Sequence, residues 1–243
     1  GLVDLDEEFV NAGRGTEVLR QLLGKPSDED QVALRGGRMQ VRRIRKGLPT
    51  RATTSPWVPG GTILITGATG QLGTSLARHL ARRGAPHLVL VSRRGEAISS
   101  TVELAEELRQ GGSRVDVVAC DVTDREALGR VLSDLEAAGT PVSSVFHLAG
   151  DVSLVSPLPD TSVEQVARVV AAKVTGAANL DALLPDKLDH FVLYSSITGV
   201  WGSAQQSGYS AGNAYLDALA QRRRSRGSVA TAVAWGPWEG SGH

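Results

Sequence analysis

The stretch GVWGSAQQSGYSAGN places a tyrosine, Tyr209, four residues before Asn213 and thirteen residues after Ser196. A free phenol has a pKa of about 10, so a tyrosine that donates a proton near pH 7 needs a nearby cation to stabilise its phenolate. One helical turn after Tyr209, however, stands the uncharged amide of Asn213. Two interpretations follow: Tyr209 is a proton donor whose cation comes from another element, or it is a packed aromatic side chain.

A second candidate site lies between the apolar run TILIT and the helix-like segment GQLGTSLARHLARRG. Gly67, Gly70 and Gly73 stand at this joint. Such a turn lets backbone N–H groups approach a pyrophosphate, which the N-terminus of the helix also attracts. The alternative is glycines that serve only close helix–strand packing, and it explains the strand–turn–helix context less well. The sequence therefore predicts a dinucleotide site here.

The next apolar run ends in SRRG, where dinucleotide-binding proteins that use NAD carry an acidic residue for the ribose 2′-hydroxyl. This chain has Arg93 and Arg94 instead. Because arginine accommodates a 2′-phosphate, the sequence favours NADPH. One of the two arginines is alternatively a solvated surface residue, and their spacing does not distinguish them.

Two further apolar runs end in residues suited to the same nucleotide. CDV places Asp121 and Val122 where they meet the edge of the adenine ring, although Asp121 is also a candidate cap for the helix that follows, with Thr123 as a competing cap. HLAG ends the next run, and its small residues Ala149 and Gly150 leave room for the ribose region of the cofactor.

These sites lie at the joints of a regular alternation that begins at residue 61. TILIT, HLVLVS, RVDVVACD, SSVFHLAG, HFVLYSS and VATAVAWGPW predict strands, and the segments between them predict helices, including one long helix over VEQVARVVAAKVTGAANLDALL. Strand–helix alternation with glycine-rich joints is typical of a parallel sheet with helices on both faces. The predicted fold is a doubly wound, Rossmann-type α/β domain.

Residues 1–59 lack this alternation and predict a separate small part of the chain. A short helix is expected near residues 16–23, and QVALRGGRMQVRRI predicts a β-hairpin that turns at Gly36 and Gly37. GLPTRATTSPWVPGG has proline and glycine without periodicity and predicts a linker. We therefore expect a boundary between residues 1–59 and a nucleotide-binding domain over residues 60–243.

The composition excludes several classes of function. Lys+Arg and Asp+Glu are 26 each, so no net charge attracts nucleic acid or an anionic membrane, and the arginine-rich runs at residues 42–46 and 222–226 are interpreted as solvated helix faces or linkers. The single cysteine, Cys120, excludes an internal disulfide framework and a cysteine-rich zinc site, and no metal site is predicted. No apolar segment reaches 18 residues, and the acidic N-terminus lacks the pattern of a signal peptide. We expect a soluble protein of a reducing compartment, the cytoplasm.

The glycine turn, SRRG, CDV, HLAG, KVTGAANL, YSSITG, the Tyr209/Asn213 pair and AWGPW together resemble the short-chain dehydrogenase/reductase superfamily. More narrowly, they resemble the ketoreductase domain of a modular polyketide synthase, over residues 61 to 243. Residues 1–59 are similar to the tail of the structural subdomain that precedes the catalytic one in that family.

The resemblance implies where the cation is. Most short-chain reductases carry a lysine four residues after the tyrosine and an asparagine on the long preceding helix, whereas ketoreductases of polyketide and fatty-acid synthases exchange the two positions. Here Asn213 follows the tyrosine and Lys173 lies in AAKVTG. The resemblance implies that Tyr209 donates the proton, Lys173 supports it and binds the nicotinamide ribose, Ser196 orients the carbonyl, and Asn213 fixes the lysine or a relay water. Ser195 is expected to bond to the backbone.

The same resemblance implies a set of cofactor contacts and an NADPH-dependent reduction of a β-ketoacyl thioester on an acyl carrier protein, beside neighbouring synthase domains. The implied cofactor-binding residues are Thr66, Gly67, Thr69, Gly70, Gln71, Leu72, Gly73, Ser92, Arg93, Arg94, Asp121, Val122, Ala149, Gly150, Lys173 and Tyr209.

Two positions near Tyr209 resemble the stereochemical markers of this family. A Leu-Asp-Asp motif, which marks one class, is absent from AGDVSLVSPL, and Asp151 alone does not supply it. A tryptophan eight residues before the tyrosine marks A-type domains, and Trp201 stands there; Gln206, three before the tyrosine, resembles the A1 group, which leaves the α-centre unepimerised. The implied product is an L-configured (3S) β-hydroxyacyl thioester. The alternative for Trp201 is an apolar lid residue without a steering role.

The chain departs from the family pattern at both ends, because most of an upstream structural half and a lid helix after WGPWEGSGH are missing from this sequence. Three functions are therefore compared: an NADPH-dependent β-ketoacyl reductase, a redox-silent scaffold or epimerising module of a synthase, and a free-standing carbonyl reductase. The intact set of four catalytic positions favours the first.

Overall fold

The computed structural model describes residues 2–7, 15–24, 29, 31–36, 38–43, 47, 57–97 and 99–238. The chain divides into two compact units, Gly1–Pro56 and Trp57–His243. Most of the predicted linker, the second hairpin glycine Gly37 and part of the basic run at residues 42–46 lie outside the described residues.

The first unit contains a three-stranded sheet and one helix. Its elements are β1 Leu2–Leu5, α1 Gly15–Leu23, β2 Gln31–Arg35 and β3 Arg38–Val41. Strands β2 and β3 pair antiparallel across Gly36, whose φ of +54° suits glycine, so the predicted hairpin and helix are confirmed. Strand β1 pairs parallel with β2 and was not predicted, because four residues in an acidic segment give too short a pattern.

The second unit is built on a six-stranded parallel sheet in the order β6-β5-β4-β7-β8-β9. Its strands are β4 Thr62–Thr66, β5 His87–Ser92, β6 Arg114–Ala119, β7 Val142–His147, β8 His190–Ser196 and β9 Thr231–Trp235. The strand order reverses between β4 and β7, and at such a switch point the loops after the two strands separate and open a crevice. The predicted doubly wound α/β fold is confirmed.

Helices cover both faces of this sheet. They are α2 Gln71–Arg82, α3 Ser99–Gln110, α4 Arg125–Ala137, α5 Val163–Ala171, α6 Ala177–Leu183, α7 Thr198–Trp201 and α8 Ser207–Ser225. The long helix predicted before β8 is wrong as a single element, because a π turn, Ala172–Gly176, separates α5 from α6. The short helix α7 was not predicted.

Side chains of the central strand β4 point alternately to two apolar clusters. Ile63 and Ile65 pack with helices α2 and α3, and Leu64 packs on the opposite face with α4, α6 and α8. All five residues of β4 are buried, which explains why the parallel strands have almost continuous apolar sequences. The rigid sheet fixes the positions of the strand ends, where the polar residues lie.

Across the described part of the chain, no helix combines the length and the apolar character that crossing a bilayer requires.

Candidate active site

The glycine turn between β4 and α2 is built for close backbone approach. Gly67 has a φ of +69°, and a Cβ at this residue would lie 2.8 Å from the backbone nitrogen of Ala149. A Cβ at Gly73 would collide with the backbone of Gly67 and Ala68. Gly70, the residue before α2, has no side chain and so makes no side-chain cap at the start of the helix. The turn therefore presents backbone donors to an anion.

A cleft of about 410 Å³ opens above this turn, at the carboxyl ends of β4, β5, β6 and β7. Its lining joins the phosphate turn to the strand ends that the sequence analysis identified. The lining residues are Gly67, Thr69, Gly70, Val91, Ser92, Arg93, Cys120, Asp121, Val122, Thr123, Leu148, Ala149, Gly150, Asp151, Arg168, Ala171 and Ala172.

The structure distinguishes the two arginines that follow β5. Both are exposed, but only Arg93 lines the cleft, and Arg94 does not. Arg168 lines the cleft from helix α5, and sequence reasoning missed it because a surface arginine on a helix gives no local signal. Burial opposes the charge on nearby Asp151, but hydrogen bonds from Ser153 and the charges of Arg168 and Arg93 leave its pKa below the ordinary value. Arg93 and Arg168 are thus the cationic side chains available to a phosphate in this cleft, beside the carboxylates of Asp121 and Asp151.

Asp121 is not the cap of helix α4. Its Oδ1 accepts hydrogen bonds from the backbone N–H and the hydroxyl of Thr123, at 2.9 and 2.8 Å, and this closes a tight turn at the cleft. The helix is capped by Asp124, whose Oδ1 accepts from the backbone of Ala127 at 2.9 Å. Both capping alternatives from the sequence, Asp121 and Thr123, are wrong, because Asp124 stands at the residue before the first helical turn.

Lys173 lies within the π turn and is 5% exposed. Its Nζ donates to the carbonyl oxygen of Tyr194 at 2.9 Å, and no ion pair involves it among the described residues. Burial lowers the pKa of Lys173 to about 8, against a small opposing contribution from Asp217. Its aliphatic stem is held on two sides by glycines: a Cβ on Gly212 would lie 3.3 Å from it, and a Cβ on Gly150 would lie 3.0 Å from Cε. The amine is thus held in place without an ion-pair partner among the described residues.

Tyr209 and Asn213 lie on the first turns of α8, beside the lysine. Lys173 Nζ is 5.5 Å from the centroid of the Tyr209 ring. The amide nitrogen of Asn213 donates to the carbonyl of Tyr209 at 2.9 Å and to the hydroxyl of Thr198 at 3.5 Å. The side-chain oxygen of Asn213 is buried and has no partner in the described part of the chain. The cation next to Tyr209 is therefore Lys173, which lies on the π turn and not on helix α8.

The two serines at the end of β8 have different partners. Ser195 donates to the backbone carbonyl of Asn213 at 3.2 Å and so ties β8 to α8, as expected from the sequence. Ser196 accepts from the backbone N–H of Thr198 at 3.2 Å, which leaves its hydroxyl proton available to another acceptor.

A second cavity, of about 160 Å³, collects the predicted catalytic residues Lys173, Ser196 and Tyr209. Its full lining is Leu72, Leu148, Gly150, Val152, Lys173, Tyr194, Ser195, Ser196, Tyr209, Trp235, Gly236 and Trp238. Leu148 and Gly150 line this cavity and the nucleotide cleft as well, so the two spaces meet at the end of β7. Sequence reasoning did not single out Tyr194, Trp235 or Trp238, although their positions at or after strand ends carried the signal.

The two predicted stereocontrol residues, Trp201 and Gln206, do not line this cavity. Trp201 ends helix α7 and is 61% exposed. The side-chain oxygen of Gln206 accepts from the hydroxyl of Ser203 at 2.9 Å. Gln205, the residue before Gln206, has a φ of +61°, a conformation that is uncommon for residues other than glycine.

Four of the predicted cofactor residues line neither space: Thr66, Gln71, Gly73 and Arg94. Thr66 is fully buried, and its hydroxyl is bonded to His147 and Ala149 behind the phosphate turn. Leu72 lines the catalytic cavity rather than the nucleotide cleft.

This arrangement has the parts that a proton donation to a carbonyl oxygen requires. A phenol, a serine hydroxyl and a buried amine line one small cavity, and a cleft with an anion-binding turn joins it. Hydroxyl donors aimed at one point stabilise negative charge that develops on an oxygen. The residues present therefore fit a phosphorylated dinucleotide in the cleft and a carbonyl compound in the cavity.

Comparisons with known proteins agree with this geometry. A family profile described as the KR domain matches residues 61–240. Over 243 residues the chain is 51% identical to Erythronolide synthase EryA3 of Saccharopolyspora erythraea, covering all of this chain and 7% of that protein.

Solved structures show the same similarity. A ketoreductase from the first module of phoslactomycin biosynthesis in Streptomyces sp. HK803 superposes with a TM-score of 0.90 at 47% identity, over 99% of this chain and 54% of that one. A structure of A-type ketoreductases from a modular polyketide synthase gives a TM-score of 0.88 at 44% identity, over 98% of this chain and 51% of that one. The chain thus spans about half the length of these solved relatives.

Proposed function

Because the chain belongs to the family of KR domains, the ketoreductase domains of modular polyketide synthases, we propose that it reduces the β-keto group of an acyl thioester with NADPH. The observation that carries the proposal is the single small cavity lined by Tyr209, Ser196 and the buried amine of Lys173. Every other part of the proposal follows from what borders that cavity.

The nucleotide cleft supports NADPH as the cofactor. The phosphate turn would hold the pyrophosphate, and Arg93, at the mouth of the cleft, would take the 2′-phosphate. Directly after β5, Arg93 and Arg94 stand where a carboxylate would favour a 2′-hydroxyl. When bound, the cofactor supplies the hydride, and the chain supplies the rest.

The residues of the cavity then act on the carbonyl oxygen. Ser196 donates a hydrogen bond that orients the carbonyl, and Tyr209 transfers its proton as negative charge develops there. The ammonium of Lys173 stabilises the phenolate that Tyr209 leaves behind. It does so strongly because the site is buried and no carboxylate pairs with the amine among the described residues.

Asn213 is assigned to a relay water rather than to the lysine. The amine of Lys173 donates to Tyr194, and the side-chain oxygen of Asn213 is buried without a partner among the described residues. A buried acceptor of this kind is usually bonded to an ordered water. Such a water would return a proton towards Tyr209.

The substrate is proposed to be a β-ketoacyl group on the phosphopantetheine arm of an acyl carrier protein, with the other domains of a cytoplasmic synthase as neighbours. The A-type structural relatives and the position of Trp201 support an L-configured (3S) product. Gln206 supports the A1 assignment, in which the α-substituent is not epimerised. Trp201 would set the side from which the acyl arm enters, and hence the face of the ketone that receives hydride.

The test follows NADPH absorbance with a β-ketoacyl thioester or a decalone as substrate. Tyr209→Phe should abolish turnover and leave NADPH affinity almost unchanged, because the ring remains and only the hydroxyl is removed. The mid-helix exposed Gln221→Ala is a matched control on the same helix and should leave both unchanged. An unaltered rate in Tyr209→Phe would refute the assignment of Tyr209 as the proton donor.

The configuration of the product tests the stereochemical assignment separately. A D-configured product, identified by chiral chromatography, would refute the role of Trp201.

A further inference from the structure

His147, the last residue of β7, has a role that its place in HLAG does not disclose. The side chain is fully buried between the phosphate-turn strand and the π turn. Its Nδ1 lies 2.7 Å from the hydroxyl of Thr66, and its Nε2 lies 3.1 Å from the carbonyl oxygen of Ala172. Ala172 is the residue before Lys173.

The hydrogen-bond partners determine the form of the ring. A backbone carbonyl only accepts, so Nε2 must carry a proton and donate it to Ala172. The Thr66 hydroxyl accepts from the backbone N–H of Ala149 and donates to Nδ1, which is therefore unprotonated. Burial and then the charge of Lys173 lower the pKa of His147 to about 3, so the neutral ring persists throughout the working range of pH. His147 is thus a fixed donor to one carbonyl.

The other end of the π turn is also held in place. A Cβ on Gly176, the last residue of the turn, would lie 2.6 Å from the side chain of Val122 and 3.5 Å from the His147 ring. The amide of Asn179, one turn further on, donates to the backbone carbonyl of Val122 at 2.9 Å. The turn is therefore confined between the end of β6 and the imidazole at the end of β7.

A π turn adds one residue to a helical turn and so changes the direction in which the following side chains point. If the segment relaxed to a regular α-helix, side chains would rotate by about 100° per residue of slippage. Where a π turn interrupts the regular ladder a carbonyl can lose its intrahelical donor, and His147 supplies a donor to the carbonyl of Ala172 from outside the helix. The direction of the Lys173 side chain depends on which pattern forms.

We propose that His147 is a positioning residue that holds the π turn Ala172–Gly176, so that Lys173 faces the catalytic cavity. Through Thr66 it also connects the strand of the phosphate turn to the segment of the lysine. The proposal rests on the proposed function only where it calls Lys173 catalytic.

Two amide substitutions at His147 distinguish the loss of its hydrogen bond to Ala172 from the loss of the imidazole ring itself. Glutamine places its side-chain nitrogen near the position of Nε2 and reaches Ala172, whereas asparagine ends near the position of Nδ1 and keeps only the contact with Thr66. His147→Asn should therefore lose the bond to the π turn, and His147→Gln should retain it.

The principal measurement is the titration of lysine labelled with ¹³C at Cε, followed by NMR. The chain has four lysines, Lys25, Lys46, Lys173 and Lys187, so the signals are few. In the parent protein Lys173 should titrate near pH 8. In His147→Asn its midpoint should rise towards the value of about 10.4 of an exposed lysine, and in His147→Gln it should stay near 8.

Turnover provides the second readout. A displaced lysine in His147→Asn should lower kcat about 100-fold, and NADPH affinity should change much less. His147→Gln should restore most of the lost rate. If both variants keep the parent midpoint, or if both lose it equally, His147 does not act through its donor and the proposal is overturned.

A third variant covers the case in which His147→Asn does not fold. His147→Leu fills much of the volume of the ring without any donor and should raise the Lys173 midpoint in the same direction. An unchanged midpoint in a folded His147→Leu variant would also overturn the proposal. The titration needs neither cofactor nor substrate, so it remains decisive even if the chain fails to reduce a ketone.

Discussion

A buried positive charge lies near each end of helix α8, and only one of the two has an ion-pair partner among the described residues. At the first turns, the amine of Lys173 has only a neutral carbonyl as its partner. In the last turn, the fully buried Arg223 is bonded to Asp181 and to the carbonyl of Val229, and its guanidinium lies 4.0 Å above the ring of Phe191. Of its nitrogens, only Nη2 is without a partner among the described residues.

The carboxylate at the paired end accepts from three arginines. Asp181 is bonded to Arg222, Arg223 and Arg226, and these hydrogen bonds outweigh burial and hold its pKa below the ordinary value. The cluster ties the end of α6 to the end of α8, so charge there is matched for stability. Near Lys173 the charge is unmatched, which costs stability and leaves the ammonium able to act on a neighbouring group.

The largest effect is expected for Lys173→Met, which should lower activity and raise stability. Lys173→Met should lower turnover by about 10²- to 10⁴-fold, because the phenolate of Tyr209 loses its cation. The same change should raise the free energy of unfolding at pH 7 by up to about 3 kcal/mol, since a buried charge is removed. Urea unfolding and NADPH oxidation measure the two. Lys187→Met, at an exposed lysine, should change neither, and a less stable Lys173→Met protein would contradict the comparison.

At the other end of α8, where Arg223 is paired with Asp181, a substitution should lower the free energy of unfolding instead of raising it. Asp181→Asn leaves the buried Arg223 without its carboxylate and should lower the free energy of unfolding by about 3–5 kcal/mol. Turnover per folded molecule should be retained, because the cluster lies away from the cavity. Asp186→Asn is the control, since that carboxylate is 68% exposed and bonded to the same cluster. An equal loss in both variants would show that burial does not decide the cost.

The pH dependence of stability should also differ between the ends. The pKa of Lys173 is depressed to about 8 in the folded protein, so its destabilising charge is fully present below pH 8 and is relieved as the pH rises towards 10.5. The stability difference between Lys173→Met and the parent should therefore shrink over this window by about 3 kcal/mol. Turnover should fall about tenfold per pH unit above 8 as the ammonium is lost.

At low pH, the stability contribution that should change is that of Asp181 in the arginine cluster. Because the folded pKa of Asp181 is depressed, its contribution is present above the unfolded value and is lost as the pH falls through the folded value. Unfolding curves of the parent and Asp181→Asn should therefore converge at low pH. A difference that is independent of pH would argue that the loss in Asp181→Asn is steric.

The smallest effect is expected at the rim of the cluster. Arg222 is 60% exposed and donates to Asp181 at 2.8 Å, so Arg222→Ala should cost less than about 1 kcal/mol. Two arginines still satisfy the carboxylate. A loss as large as that in Asp181→Asn, measured by the same urea titration, would mean that the three arginines act as one cooperative unit.

The alternation of apolar runs was sufficient to predict the sheet and its helices, because buried parallel strands leave continuous apolar sequence. The positions of Ser195, Arg93 and Asp121 at strand ends could also be anticipated, since the carboxyl ends of parallel strands share one edge. The run at residues 222–226 was interpreted as solvated, and this was wrong for Arg223, because its partner Asp181 is 42 residues away and no local pattern connects them.

The same reason explains the other failures. The π turn could not be predicted, because VEQVARVVAAKVTGAANLDALL has helical periodicity throughout and the interruption depends on His147 and Val122, which belong to distant strands. The hydroxyl of Thr66, which the resemblance implies as a cofactor residue, turns inward to His147, and this contact too joins residues distant in sequence. Local sequence thus gives the elements, and contacts distant in sequence decide which way their side chains point.

Leu148 and Gly150 are shared by two spaces that otherwise have different linings. Among the described residues these two are the lining that the spaces have in common, so a hydride that passes from the cleft to the cavity would cross at the end of β7.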